Sequence, residues 1–188
     1  MSFSKIILAS ASPRRKELLA QIGFEFDIIA AKGEEVVTSD IPNQVVMELS
    51  AQKAKEVAAN APENALVIGA DTVVALGNKI LGKPKNYEEA FEMISSLKNS
   101  SHSVFTGVTL VCNDVVKSFY EETVVHVCDM TKEEIDEYIA SGDCYDKAGG
   151  YGIQGYFSRY VKGIKGDYYN VVGLPVFKLV QEIKRMEE

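Results

Sequence analysis

The chemistry of this chain gathers first at Ser10-Ala11-Ser12-Pro13-Arg14-Arg15, which holds two hydroxyls and two guanidinium groups. The N-terminus of a helix carries partial positive charge and prefers Asp or Glu in its first turn. Here that turn carries Arg14 and Arg15, two of only four arginines in the chain. The arrangement makes physical sense if an anion sits there. Free backbone N–H groups, serine hydroxyls and guanidinium forks would converge on it, and phosphate fits best. The alternative is a pair of solvated arginines on a surface helix.

Three other stretches carry candidate chemistry. Gly69-Ala70-Asp71-Thr72 lies between the apolar runs Ala65–Ile68 and Val73–Leu76. A buried Asp there is costly unless paired or metal-bound, so it is a turn cap or, the favoured reading, a functional carboxylate. In Gly82-Lys83-Pro84 the proline holds Lys83 extended. From Gly142 to Gly173 the chain places eight of its 14 glycines, a density that allows close backbone approach to a ligand or several tight turns. Within it, Asp146 and Lys147 either pair with each other or face phosphate and metal. Gln154 offers a donor and an acceptor, as reading a nucleobase edge requires, although an ordinary turn glutamine is equally allowed. Lys53 and Lys55, on a helical stretch, read locally as solvated lysines. His102 and His126 have no ligand partner nearby and read as structural.

These residues need elements to position them. Ile6-Ile7-Leu8-Ala9 reads as a buried strand that feeds a helix with Leu18, Leu19 and Ile22 on one side, Ser12 as N-cap, Pro13 at the first position and Gly23 as the stop. Phe26–Ala30 reads as a strand, followed by Gly33-Glu34-Glu35 in a loop. Pro42 opens a helix to about Asn60. Ala65–Ile68 and Val73–Leu76 read as strands separated by a break, and Gly77-Asn78 as a turn. Asn86 to Lys98 is an amphipathic helix with a start resembling a capping box at Asn86 and Glu89. Val104–Cys112 and Val115–Val127 form a long hairpin about Asn113-Asp114. Thr131 and Glu134 cap a helix that ends at Gly142. Tyr168–Val172 reads as a last strand, and Gly173-Leu174-Pro175 starts the C-terminal helix.

The composition suits an α/β protein. The 188 residues are 46% hydrophobic and 25% charged, enough for one globular domain or one with two lobes. No signal peptide or membrane-spanning stretch is expected. Cys112, Cys128 and Cys144 show no CxxC spacing, which fits free thiols in a reducing cytoplasm. A net charge of −7 argues against a general nucleic-acid binder, while a small anionic ligand needs only a local basic pocket.

Taken in order, these motifs resemble the Maf family of nucleoside triphosphate pyrophosphatases. The resemblance covers nearly the full length. It rests on Ser10 to Leu19, Lys53-Ala54, Gly69 to Thr72, Gly82-Lys83-Pro84, Asp146 to Gly149, Tyr151 to Gly155 and Val172 to Pro175. It implies a fold like that of the inosine triphosphate pyrophosphatases. That fold is a mixed twisted sheet flanked by helices, a single domain over residues 1–188 in two lobes with a central cleft. It implies Asp71 as the catalytic acceptor, with Ser10, Arg14, Arg15, Glu35, Lys53, Lys83 and Gln154 lining the site. Arg14, Thr72 and Gln154 resemble the branch acting on dTTP and UTP rather than on methylated guanosine triphosphate. Gly150 stands where the family usually has Ala, and Cys144-Tyr145 replaces a commonly acidic or proline-containing pair.

On this reading Arg14, Arg15, Lys53 and Lys83 form a cationic clamp, with Arg15 mainly on phosphate. Asp71 and Glu35 supply hard oxygens for Mg²⁺ or Mn²⁺, and Gln154 and Thr72 meet the base. A homodimer is implied by the resemblance alone. The competing reading is a nucleotide-binding regulator of septum formation. The presence of both carboxylates and all four cations favours an enzyme. Other phosphate-ester chemistries lack support, since no GxxxxGK loop and no histidine or cysteine nucleophile setting is found.

Overall fold

The computed structural model describes residues 3–188. Its strands are β1 (Lys5–Leu8), β2 (Asp27–Ile28), β3 (Ala65–Leu76), β4 (Lys79–Leu81), β5 (Ser101–Cys112), β6 (Val115–Val127) and β7 (Val161–Lys165). They form one sheet in the order β2-β1-β3-β5-β6-β7, with β4 paired to β3. β1 runs parallel to β2 and β3, and the remaining pairs are antiparallel, so the sheet is mixed as expected. The helices are α1 (Pro13–Gln21), α2 (Pro42–Ala58), α3 (Tyr87–Leu97), α4 (Lys132–Ala140), α5 (Tyr168–Val172) and α6 (Val176–Glu187).

Two large apolar clusters share the sheet. One gathers Leu8, Leu19, Ile68 and Leu110 with Leu179 and Ile183 of α6. The other gathers Val104 and Val125 with Ile94 of α3, Tyr138 of α4 and Phe157. α2 covers the opposite face. It packs Val46 and Leu49 near Val73, and Ala54 and Val57 near Ala65 and Val67.

Several expectations need correction. β3 runs unbroken through Gly69-Ala70-Asp71-Thr72, so Gly69 marks no turn. It marks a close approach: a Cβ there would lie 2.4 Å from the Ser50 carbonyl oxygen of α2. Gly107, opposite Asp71 in the β3–β5 register, does the same, with a Cβ 2.3 Å from the Val46 oxygen. Tyr168–Val172 is a helical turn rather than a strand. Asp167 accepts the Tyr169 N–H at its start, and Gly173 closes it at φ 128°. A short aromatic and β-branched run suits either state, and the caps decide. The strand expected over Phe26–Ala30 shrinks to Asp27–Ile28. β7 has no counterpart in the sequence reading. Ser12 occupies the N-cap of α1, but its side chain makes no capping bond. Asn86 caps α3 by accepting from Glu89 N, yet Glu89 returns its bond to Lys85 N rather than to Asn86, so the box is incomplete. Around α4 the box is complete.

Candidate active site

The topology leaves one gap in the sheet. β1 pairs with β3 only as far as Leu8 and Ile68, while β4 takes up the same edge from Val74. Between them Asp71 and Thr72 sit on an edge that β1 has left. The chain emerging from β1 turns there through Ser10 into α1. This is the crevice beyond the carboxyl end of a parallel strand, where α/β sheets place ligands. It forms a cleft of ≈ 820 Å³, lined by Ser10, Arg14, Arg15, Glu35, Lys53, Asp71, Thr72, Lys83 and Gln154, among others. The nine residues that the resemblance assigned to the site are therefore in one place, while Lys55, His102 and His126 lie outside it.

Successive strand residues face opposite sides. Asp71 faces α2, where Lys53 Nζ lies 2.5 Å from its Oδ1 and 2.8 Å from Glu35 Oε1. Lys53 is thus no solvated helix lysine. The segment carrying Glu35 is strapped to α2 by Glu48, Gln52 and Glu56, spaced four apart on one helix face. Glu56 accepts from the N–H groups of Lys32 and Gly33, Gln52 from Val36 and Glu48 from Thr38. Those amide bonds hold the exposed Glu48 and Glu56 carboxyls below their ordinary pKa; at Glu48 the Thr38 hydroxyl leads.

Thr72 faces the other way, toward Arg15. Arg15 donates Nε to the Gly173 carbonyl at 2.9 Å, Nη1 to Ser10 Oγ at 3.1 Å and Nη2 to Thr72 Oγ1 at 3.0 Å. Three of its five N–H groups are thereby held by protein, so Arg15 is a strut with two N–H groups left over. Burial lowers its pKa, and the carboxylate of Asp71 leads the opposing attraction. Ser10 Oγ also accepts the Ser12 N–H at 3.2 Å. Both its lone pairs are then engaged, so its proton is what it offers the cleft. With no side chain capping α1 and no acid in its first turn, amides at this end are open to an anion.

The far wall comes from the glycine-rich segment. Lys147 spends its three protons on Asp143 O, Asp143 Oδ1 and Asp146 Oδ1, at 2.7, 2.8 and 2.6 Å. It is an internal brace on the cleft wall, with its protons engaged by protein. Arg14 Nη1 reaches Asp146 Oδ2 at 3.4 Å, a partly exposed pair that a stronger anion can displace. Gly149, at φ 72°, donates its N–H to Gly82 O at 2.9 Å, joining this segment to the one that carries Lys83. Lys83 and Gln154 are exposed and without a protein partner among the described residues. Asp143, the other half of the brace, escaped the sequence reading; its spacing of four from Lys147 was the available signal. His102 is buried, with Nε2 2.6 Å from the Tyr151 hydroxyl, as a structural histidine should be.

An uncapped helix end bearing two arginines, a lysine-paired aspartate and a free amide in one cleft suit a phosphorylated small molecule. The chain belongs to the Maf-like protein family, whose family model matches residues 5–186. It is 56% identical to a dTTP/UTP pyrophosphatase of Agathobacter rectalis, over 97% of this chain and 98% of that protein. A dTTP/UTP pyrophosphatase of Bacillus cereus is 50% identical over 96% of this chain and 95% of its own length. One of Lachnoclostridium phytofermentans is 46% identical over 96% and 94%. Among the described residues no helix is long and apolar enough to cross a membrane.

Proposed function

We propose that the protein hydrolyses UTP and dTTP to the nucleoside monophosphate and pyrophosphate. The observation that carries this reading is the meeting of Asp71 and Lys53 with the uncapped, arginine-bearing end of α1 in one cleft. The relatives named dTTP/UTP pyrophosphatase support the choice of nucleotides.

The triphosphate lies against the start of α1. The Ser10 proton, the remaining N–H groups of Arg15, Arg14 and the free ammonium of Lys83 neutralise it as charge develops on the leaving pyrophosphate. Asp71 keeps Oδ1 on Lys53. Its Oδ2 has no protein donor among the described residues, so it accepts the proton of the water that attacks the α-phosphorus. The base lies toward Thr72 and the amide of Gln154. Arg14 exchanges Asp146 for substrate.

The donor set fits a divalent cation. Asp71 and Glu35 already converge on one cation, the Lys53 ammonium. Two carboxylates with substrate phosphates and water are a usual Mg²⁺ or Mn²⁺ environment. Among the described residues no group of three or more Asp, Glu, His or Cys forms a cage, so nucleotide would complete the shell. Such an ion would supply charge neutralisation and a more acidic water. The single domain over 1–188 with a cleft between two lobes, the homodimer and the cytoplasmic setting enter this reading from the family resemblance.

Asp71→Asn tests it. Pyrophosphate release from UTP should fall by roughly 10²-fold or more, while UTP affinity, read by calorimetry, stays within a few-fold. Turnover close to that of the parent would refute the role of Asp71.

A further inference from the structure

Behind Thr72 runs a chain of buried hydrogen bonds whose donors and acceptors can all be assigned. Asn170 of α5 is fully buried and donates Nδ2 to the Val104 carbonyl and to Thr123 Oγ1, each at 3.0 Å. A carbonyl only accepts, so the amide orientation is fixed. Thr123 in turn donates to Asp167 O at 2.9 Å. These bonds fasten α5 to the sheet and hold the main-chain carbonyl of Asn170 in place. That carbonyl accepts the hydroxyl of Thr106, also fully buried, at 3.0 Å.

A threonine hydroxyl has one proton. Thr106 spends its proton on Asn170, so toward Thr72, 2.9 Å away, it can only accept. Thr72 must therefore give its own proton to Thr106. Its oxygen meanwhile accepts Arg15 Nη2 at 3.0 Å. What Thr72 can still offer the cleft is a lone pair and no proton.

We propose that Thr106 and Asn170 are positioning residues that act through Thr72. They fix its hydroxyl as an acceptor and so tune the cleft to a nucleobase presenting an N–H. Uracil and thymine carry such a donor at N3, whereas cytosine carries a bare acceptor at the same ring position. The inference rests on the proposed placement of the base at Thr72 and Gln154. It goes beyond that placement in assigning a base-discriminating role to two residues outside the cleft. Without the Thr106 hydroxyl, the Thr72 proton is free to turn into the cleft, where it would meet cytosine N3 and oppose uracil N3–H.

The test compares kcat/KM and calorimetric affinity for UTP and CTP in the parent protein, Thr106→Val and Thr106→Ser. In Thr106→Val the preference for UTP over CTP should fall by roughly tenfold or more, since a reversed hydrogen bond leaves one polar group unpaired. Thr106→Ser should restore it. Thr106→Cys, a weaker donor, replaces valine if that variant does not fold. A merely structural Thr106 would lower stability, or lower kcat/KM for both nucleotides alike. An unchanged UTP-to-CTP ratio, or no recovery with serine, overturns the proposal. Absence of turnover in the parent would overturn the pyrophosphatase reading, while the affinity ratio would still decide this one.

Discussion

Ser10 and Thr72 both bring a hydroxyl to the same guanidinium, and the hydrogen bonds around them make them opposites. Ser10 accepts twice and has a proton to give; Thr72 accepts once and has given its proton away. The sequence placed Ser10 by the basic pair and, through the resemblance, Thr72 by the base; the structure assigns the polarity of each hydroxyl. Thr106 drew no notice in the sequence, where it is one of two threonines in Val104–Cys112, and its partner Asn170 lay in a segment read as β. His102 carries a titration argument at this scale. Its pKa is pushed down to about 4, chiefly by burial and secondarily by His126. In the unfolded chain it would titrate near 6.5. The unfolded state therefore binds the extra proton first, and stability should fall as pH drops from 6.5 toward 4. At full effect the loss is on the order of 3 kcal/mol, from about 1.4 kcal/mol per pKa unit. His102→Gln, which retains a partner for the Tyr151 hydroxyl, should flatten that part of the curve in denaturant titrations. An equally steep loss would assign it to other groups.

At the scale of elements, the pairing of Lys53 with Asp71 depends on how near α2 lies to β3 and β5. Gly69 and Gly107 set that distance, because any Cβ at either would strike α2 backbone. Neither role is legible locally, since a glycine at a close approach and a glycine at a turn look alike in sequence. That ambiguity produced the expected break in β3. Most other elements were legible from periodicity and caps: α2, α3, α4 and the β5–β6 hairpin lie within a few residues of their expected bounds. Gly107→Ala should destabilise the fold by about 1–3 kcal/mol through overpacking. It should also lower catalytic activity by pushing α2, and Lys53 with it, away from Asp71. Unchanged stability in urea unfolding would show that α2 has room to move.

Over the whole molecule, the site draws on segments from Ser10 to Gln154, and their meeting follows from strand order. β1 stops short, β3 continues, and Arg14, Arg15, Lys53 and Lys83 meet Asp71 and Glu35 at the uncovered edge. An overall charge of −7 coexists with this basic patch because the cations are local. The candidate site was legible residue by residue through the resemblance. The sequence offered an Asp146–Lys147 pair as one alternative, but not that Asp143 also holds Lys147 or that Arg15 is largely held by Ser10, Thr72 and Gly173. The bonds of Arg15 to Thr72 and Gly173 depend on distances between segments far apart in the chain.

The central claim is that water attacks the α-phosphorus of UTP and dTTP in this cleft. Hydrolysis of each in ¹⁸O-labelled water with Mg²⁺ or Mn²⁺ tests it most directly. The expected products are pyrophosphate and a nucleoside monophosphate that carries the label. Release of orthophosphate, label in the pyrophosphate, or no turnover of either nucleotide would contradict it.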